Sequence, residues 1–154
     1  VIFSLILVNK FTVMALPTPV TLPATPPFQQ VGAREIILRS RQGVLRSEAD
    51  RVAALIGLTD KEMAAALGLS ASYLHRLKAD QRISQDASER LLLLENVLRH
   101  ALDTFEGKAT IVLGWLRTPL RELDYQTPLQ TLDTVTGYTL VDQVLGRIDH
   151  GIFG

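Results

Sequence analysis

From Val31 onward, apolar residues recur along the chain at intervals of three and four, the rhythm of helices that each bury one face. Ala33 to Arg41 predicts a short amphipathic helix closed by Gly43. Val52, Leu55 and Ile56 predict a second, with Ser47 as its cap and Gly57 at its end. The stretch Thr59-Asp60-Lys61-Glu62 then has the spacing of a capping box, in which the threonine hydroxyl and the glutamate side chain each serve the other's backbone amide. A third helix therefore opens almost at once, running through DKEMAAAL. It gives way to Gly68-Leu69-Ser70 and to a fourth helix, ASYLHRLK.

Farther on, Ala87, Leu91, Leu94, Leu98, Ala101 and Phe105 alternate steps of four and three, so the longest helix is expected from about Asp86 to Phe105. Leu92, Leu93, Val97 and Leu102 widen its apolar face beyond a single neighbour. Such a helix is either sandwiched within the fold or shared with another subunit. After Gly107, KATIVLGWLR predicts a short helix in which Trp115 is a core anchor among Val112, Leu113 and Leu116. Thr127 caps a further turn with Pro128 at its first position, where the missing amide costs nothing. The last helix carries Leu140, Val141, Val144, Leu145 and Ile148, places Arg147 and His150 in its final turn, and exits at Gly151. The fold class expected is all-α.

Before Val31 the pattern is different. Five of the seven prolines fall within MALPTPVTLPATPPFQQ, which cannot be helical and reads as an extended linker. Val1 to Val8 is apolar but far below the roughly 20 residues that span a bilayer. It also lacks the positive charge in front and the small-residue cleavage site behind that a secretory signal needs. Residues 1–13 read as an extension outside the folded unit. The expected organisation is an extension and linker over residues 1–30, a helix-turn-helix domain with the long helix over 31–105, and a second helical domain over 106–154.

Composition narrows the chemistry. There is no cysteine, so disulfides and thiolate metal sites are excluded, which fits a cytoplasmic protein with no membrane partner. The formal charge is zero, but residues 31–82 hold nine basic and six acidic residues while 118–154 hold two and five. A basic front and an acidic back suit different partners. His75, His100 and His150 are isolated, with no metal-ligand spacing, and no glycine-rich phosphate loop is present. Neither a catalytic residue, a metal nor a cofactor is expected, and the chain does not read as an enzyme.

Two short helices joined by a three-residue turn with glycine at its first position make a helix-turn-helix unit. A helical hairpin with no nucleic-acid role is the plainer alternative. If the second helix enters a major groove, Ser70, Ala71, Ser72, Tyr73, His75 and Arg76 face DNA, and Lys78 and Arg82 lie near phosphates. Arg76 is the candidate for a bidentate contact to guanine. One such unit with so little positive charge binds weakly, so specific binding calls for a homodimer or a larger assembly.

At the other end, GRIDHGIFG leaves Ile152 and Phe153 beyond the last helix. Apolar residues at such a tip either anchor in a partner's pocket or fold back beneath Trp115.

The order of these segments resembles the Xre/MbcA/ParS-type antitoxins, which are paired with RES-domain toxins. The resemblance covers about residues 31–154 and is most specific over Thr127, Pro128, Leu129, Leu132, Asp133, Thr134, Gly137, Val141, Leu145, Gly146, Arg147, Ile148, His150 and Gly151. It implies a repressor-like helix-turn-helix that binds operator DNA, and a C-terminal domain that obstructs the active-site cleft of a toxin similar to ADP-ribosyltransferases, which consumes or transfers from NAD. On this reading Arg147, Asp149, His150, Ile152, Phe153 and Gly154 are the toxin-binding residues, with Asp149 and the Gly154 carboxylate paired to toxin cations and Ile152 and Phe153 filling apolar surface. The chain departs from the pattern before QTPL, where Leu120, Arg121, Asp124 and Tyr125 stand in place of the usual asparagine-proline and glycines. The alternative is a stand-alone repressor whose C-terminal domain serves dimerisation.

Overall fold

A 20-residue helix, α5 (Gln85–Thr104), forms the axis of the fold in the computed structural model, which describes residues 30–151. Around it pack α1 (Ala33–Gln42), α2 (Arg46–Ile56), α3 (Asp60–Leu67), α6 (Ala109–Leu116) and α8 (Val135–Asp149). The two remaining helices, α4 (Ala71–Arg76) and α7 (Pro128–Thr131), sit against α3 and α8 respectively. The architecture is all-α, and among the described residues the nearest approach to a strand is an isolated bridge between Leu45 and Arg82. No helix of the described residues is long and apolar enough to cross a membrane. The expected extension and most of the linker lie outside the described residues, as do Ile152, Phe153 and Gly154.

The open question about α5 has an answer within the chain. Ala87, Leu91, Leu94, Leu98 and Ala101 are buried, and so are Leu92, Val97 and Leu102 on its other flank. Neighbours on several sides use the whole width of that face, and one hydrophobic cluster runs unbroken from Ile36 to Leu145. Phe105 leaves the seam as the helix ends, and its ring tilts against Trp115 with centroids 5.7 Å apart. Trp115 is only partly buried and closes the edge of the core instead of filling its centre.

One cap differs from expectation. Ser47 does not cap α2; Leu45 stands at that position without a side-chain bond, and Ser47 lies in the first turn. The reason is tertiary. The amides of Arg46 and Ser47 donate to the carbonyls of Gln81 and Ala79 at 2.8 and 3.0 Å, so the loop after α4 satisfies the helix end that a side chain would otherwise serve. Buried Arg46 donates from Nε to the Leu74 carbonyl of α4 and pairs with Asp50. The chain enters the fold where Val31 exchanges two backbone bonds with the Asn96 side chain, at 2.7 and 2.8 Å.

Before α7 the chain makes a 3-10 turn, Arg121–Leu123, followed by Asp124 and Tyr125 at φ 52° and 61°. Both occupy the left-handed region that glycine enters freely, at the place where the sequence departs from the glycine-bearing pattern.

Candidate DNA-facing and partner-facing surfaces

The turn between α3 and α4 is built from backbone bonds that short-range sequence dictates. Thr59 and Glu62 form the expected capping box at the start of α3. Gly68 ends that helix at φ 68°, and the amides of Gly68 and Leu69 close on the Ala65 and Ala64 carbonyls. Ser70 caps α4 by accepting from the Tyr73 amide at 3.1 Å. Leu74 is buried beneath α4, and Arg46 holds its carbonyl at 3.0 Å. With the inner face so fixed, Ala71, Ser72, Tyr73, His75 and Arg76 are exposed along one outer surface, with Lys78 just beyond. Among the described residues neither Arg76 nor Lys78 forms an ion pair, and both are exposed. Arg82 is exposed but donates to the Gly43 carbonyl, and it braces the loop as well as facing solvent. The Ser70 hydroxyl is likewise engaged in the cap, which leaves its proton to donate.

The C-terminal helices are fastened to this unit by side chains that cross long stretches of sequence. Tyr138 of α8 is buried and donates its hydroxyl to the Ala66 carbonyl of α3 at 2.9 Å. Burial pushes its phenol well above the ordinary range, so it stays a donor at any physiological pH. Arg90 of α5 donates to the Asp133 carbonyl at 2.5 Å. Arg117 forks onto Glu62 at 2.8 and 2.9 Å, so the same carboxylate serves both the α3 cap and α6. The Arg117 hydrogen bond, opposed by burial and aided by Thr59, holds the Glu62 carboxyl below its usual range. At the core, Glu95 is buried yet receives two bonds from Arg51 and is paired to Arg99. Burial alone would raise its carboxyl, and the two guanidinium partners outweigh that.

Only Leu132, Asp133 and Thr134 separate α7 from α8, and the approach is close. Thr127 and Gln130 form a second capping box around Pro128, and Thr134 caps α8 by accepting from the Gly137 amide. A Cβ at Gly137 would lie 1.7 Å from the Thr131 carbonyl oxygen, so this position admits glycine alone. The glycine of the family-like pattern is thus explained by the α7–α8 corner.

Near the far end of α8, the structure joins residues that the sequence leaves apart. His100 of α5 stands between two carboxylates, with Nδ1 2.6 Å from Asp142 and Nε2 2.7 Å from Asp149. Burial pulls the imidazole pKa down, but bonds to both aspartates overcome this and raise it above its ordinary value. Asp149, expected to face a partner, bonds to His100 and is itself exposed. Arg147 and His150 are exposed, and the His150 Nδ1 donates to the Gly146 carbonyl at 2.6 Å. Gly151 makes the left-handed exit at φ 66°. Ile152, Phe153 and Gly154 lie beyond the described residues. Among the described residues there is no group of three or more His, Cys, Asp or Glu side chains able to hold a metal ion.

Both halves match known sequence families. The antitoxin Xre-like helix-turn-helix domain matches residues 35–96, and the antitoxin Xre/MbcA/ParS C-terminal toxin-binding domain matches residues 100–151. The chain is 37% identical over 81 residues to Antitoxin Xre of Photorhabdus laumondii, covering 53% of this chain and 55% of that protein. To Antitoxin Xre of Yersinia enterocolitica it is 33% identical over 84 residues, covering 54% and 57%. The matched region thus spans little more than half the length of these two relatives. A longer match is to the Prs ADP-ribosylating antitoxin of Sphingobium sp., 30% identical over 122 residues, covering 73% of this chain and 77% of that protein.

Proposed function

The chain belongs to the Xre/MbcA/ParS family of antitoxins, and from that premise we propose that it neutralises a RES-domain toxin with its C-terminal helices and represses its own operon through α3 and α4. The observation that carries this reading is the match of residues 100–151 to a toxin-binding domain, on helices braced against a helix-turn-helix whose outer face is free. A relative named for ADP-ribosylation supports a toxin of the NAD-consuming class.

In this account α4 lies in the major groove of operator DNA. Tyr73, Arg76, Ser72 and His75 meet base edges, and Ser70, Lys78 and Arg82 meet or brace the backbone. A homodimer within a larger complex supplies the second half-site. Arg147, Asp149, His150 and the Ile152–Phe153–Gly154 tip cover the toxin's cleft, with Asp149 also fixing the last turn of α8 through its bond to His100. The protein binds and obstructs, and it performs no chemistry of its own.

The test separates the two functions. The product of the neighbouring gene is expressed in bacteria with and without this chain, and growth is followed alongside repression of a promoter fusion. Truncation after Gly151 abolishes rescue and spares repression, and Tyr73→Ala with Arg76→Ala does the reverse. If both changes abolish repression alone, the protein is a repressor whose C-terminal helices serve another purpose.

A further inference from the structure

Two glycines lie within α8, and their surroundings are opposite. At Gly137 a Cβ would strike the Thr131 carbonyl oxygen, so the residue serves the chain's own packing. At Gly146 a Cβ would meet nothing within 4 Å. Yet Gly146 sits inside the helix, three residues before Asp149, where glycine is the least favourable residue short of proline. Nothing among the described residues accounts for it. A glycine that leaves a helix backbone bare lets another backbone come close.

The residues around it form one outward face. Leu140 is 44% exposed, although it belongs to the apolar set of the helix. Gln143, Gly146, Arg147 and His150 line a shallow hollow of about 420 Å³. Among the described residues Arg147 forms no ion pair. The acids of the same helix, Asp142 and Asp149, are bonded to His100 and do not line the hollow. The hollow therefore offers a cation and no carboxylate.

We infer that the outer face of α8 from Leu140 to Arg147 is the seat of a backbone segment of the toxin, with Gly146 at the point of closest approach and an acidic toxin side chain opposite Arg147. The charge argues against a second copy of this chain as the occupant. An antiparallel two-fold crossing at Gly146 would bring Arg147 beside its own equivalent, with no carboxylate in the hollow to separate them. The inference rests on the antitoxin reading and adds to it a surface outside the tip.

The experiment measures the affinity of the full chain for the separately purified product of the neighbouring gene, with melting temperature as the folding control. Gly146→Ala leaves the free chain folded and raises its melting temperature by about 3 °C, because alanine is the better helix former. Affinity falls with side-chain size, modestly for Gly146→Ala and about a hundredfold for Gly146→Leu. Arg147→Glu weakens binding about tenfold or more. If Gly146→Leu, or Gly146→Ala with Arg147→Glu should the leucine variant not fold, binds like the parent, the inference is overturned and the antitoxin reading stands. If the parent chain itself does not bind, the antitoxin reading fails and takes the inference with it.

Discussion

His100 Nε2 lies 2.7 Å from the Asp149 carboxylate, which ties the last turn of α8 to the middle of the fold across 49 residues of sequence. Because Nδ1 also meets Asp142, both bonds are complete only when the ring is protonated. Its pKa is raised in the folded chain, so the stabilisation is fully present below the unfolded value of about 6.5 and is lost as pH rises through the folded one. Asp149 sets the lower limit. Burial pushes its carboxyl up, but the bonds from His100 and Thr104 and the charges of His100 and His150 lower it on balance, so its share is present above about pH 4 and is lost as pH falls further. His100→Ala is expected to cost about 1.5 kcal/mol at pH 6 and clearly less at pH 9, measured by urea unfolding at both.

Gly137→Ala is expected to be far more damaging than its size suggests. The added methyl would sit 1.7 Å from the Thr131 carbonyl oxygen, and that obstacle is backbone, not a flexible side chain. A loss of about 3 kcal/mol or more follows, read as a fall in melting temperature, with α8 displaced from α7.

Thr59 and Arg117 meet at the same carboxylate but by different physics. Thr59→Ala removes a cap and costs about 1 kcal/mol, little changed by salt. The effect of Arg117→Ala on unfolding is expected to fade in 1 M salt, because that pair is exposed and screened.

On the DNA side, Arg76→Ala and Lys78→Ala leave the fold intact, since both residues are exposed. Arg76→Ala is expected to weaken binding to the chain's own promoter by about 1–3 kcal/mol and to relax preference at one base position. Lys78→Ala weakens binding on all sequences alike and lowers the salt slope by about one. Both are read by titration at several salt concentrations.

What the sequence made legible is what acts over three or four residues. The Thr59–Glu62 box, the Thr127 and Ser70 caps, the Gly68 turn and the long α5 seam are all present as expected. Long-range contacts escaped it. Ser47 has the chemistry of a cap, but carbonyls of Ala79 and Gln81 take the amides first. His100 reads as an isolated histidine because its partners stand 42 and 49 residues away. The Tyr138 bond to Ala66 and the Arg46 bond to Leu74 are equally invisible to spacing. Apolar periodicity also placed Leu140 among the packed residues, whereas it faces outward on α8. An exposed leucine and a core leucine share one spacing.

In the proposed function the C-terminal helices stop a toxin that consumes NAD, and NAD turnover by the purified neighbouring gene product, titrated with this chain, tests this most directly. Turnover is expected to fall to background as the chain reaches the stoichiometry of the complex, and a chain cut after Gly151 is expected not to inhibit. Undiminished turnover in the presence of excess full-length chain would contradict it.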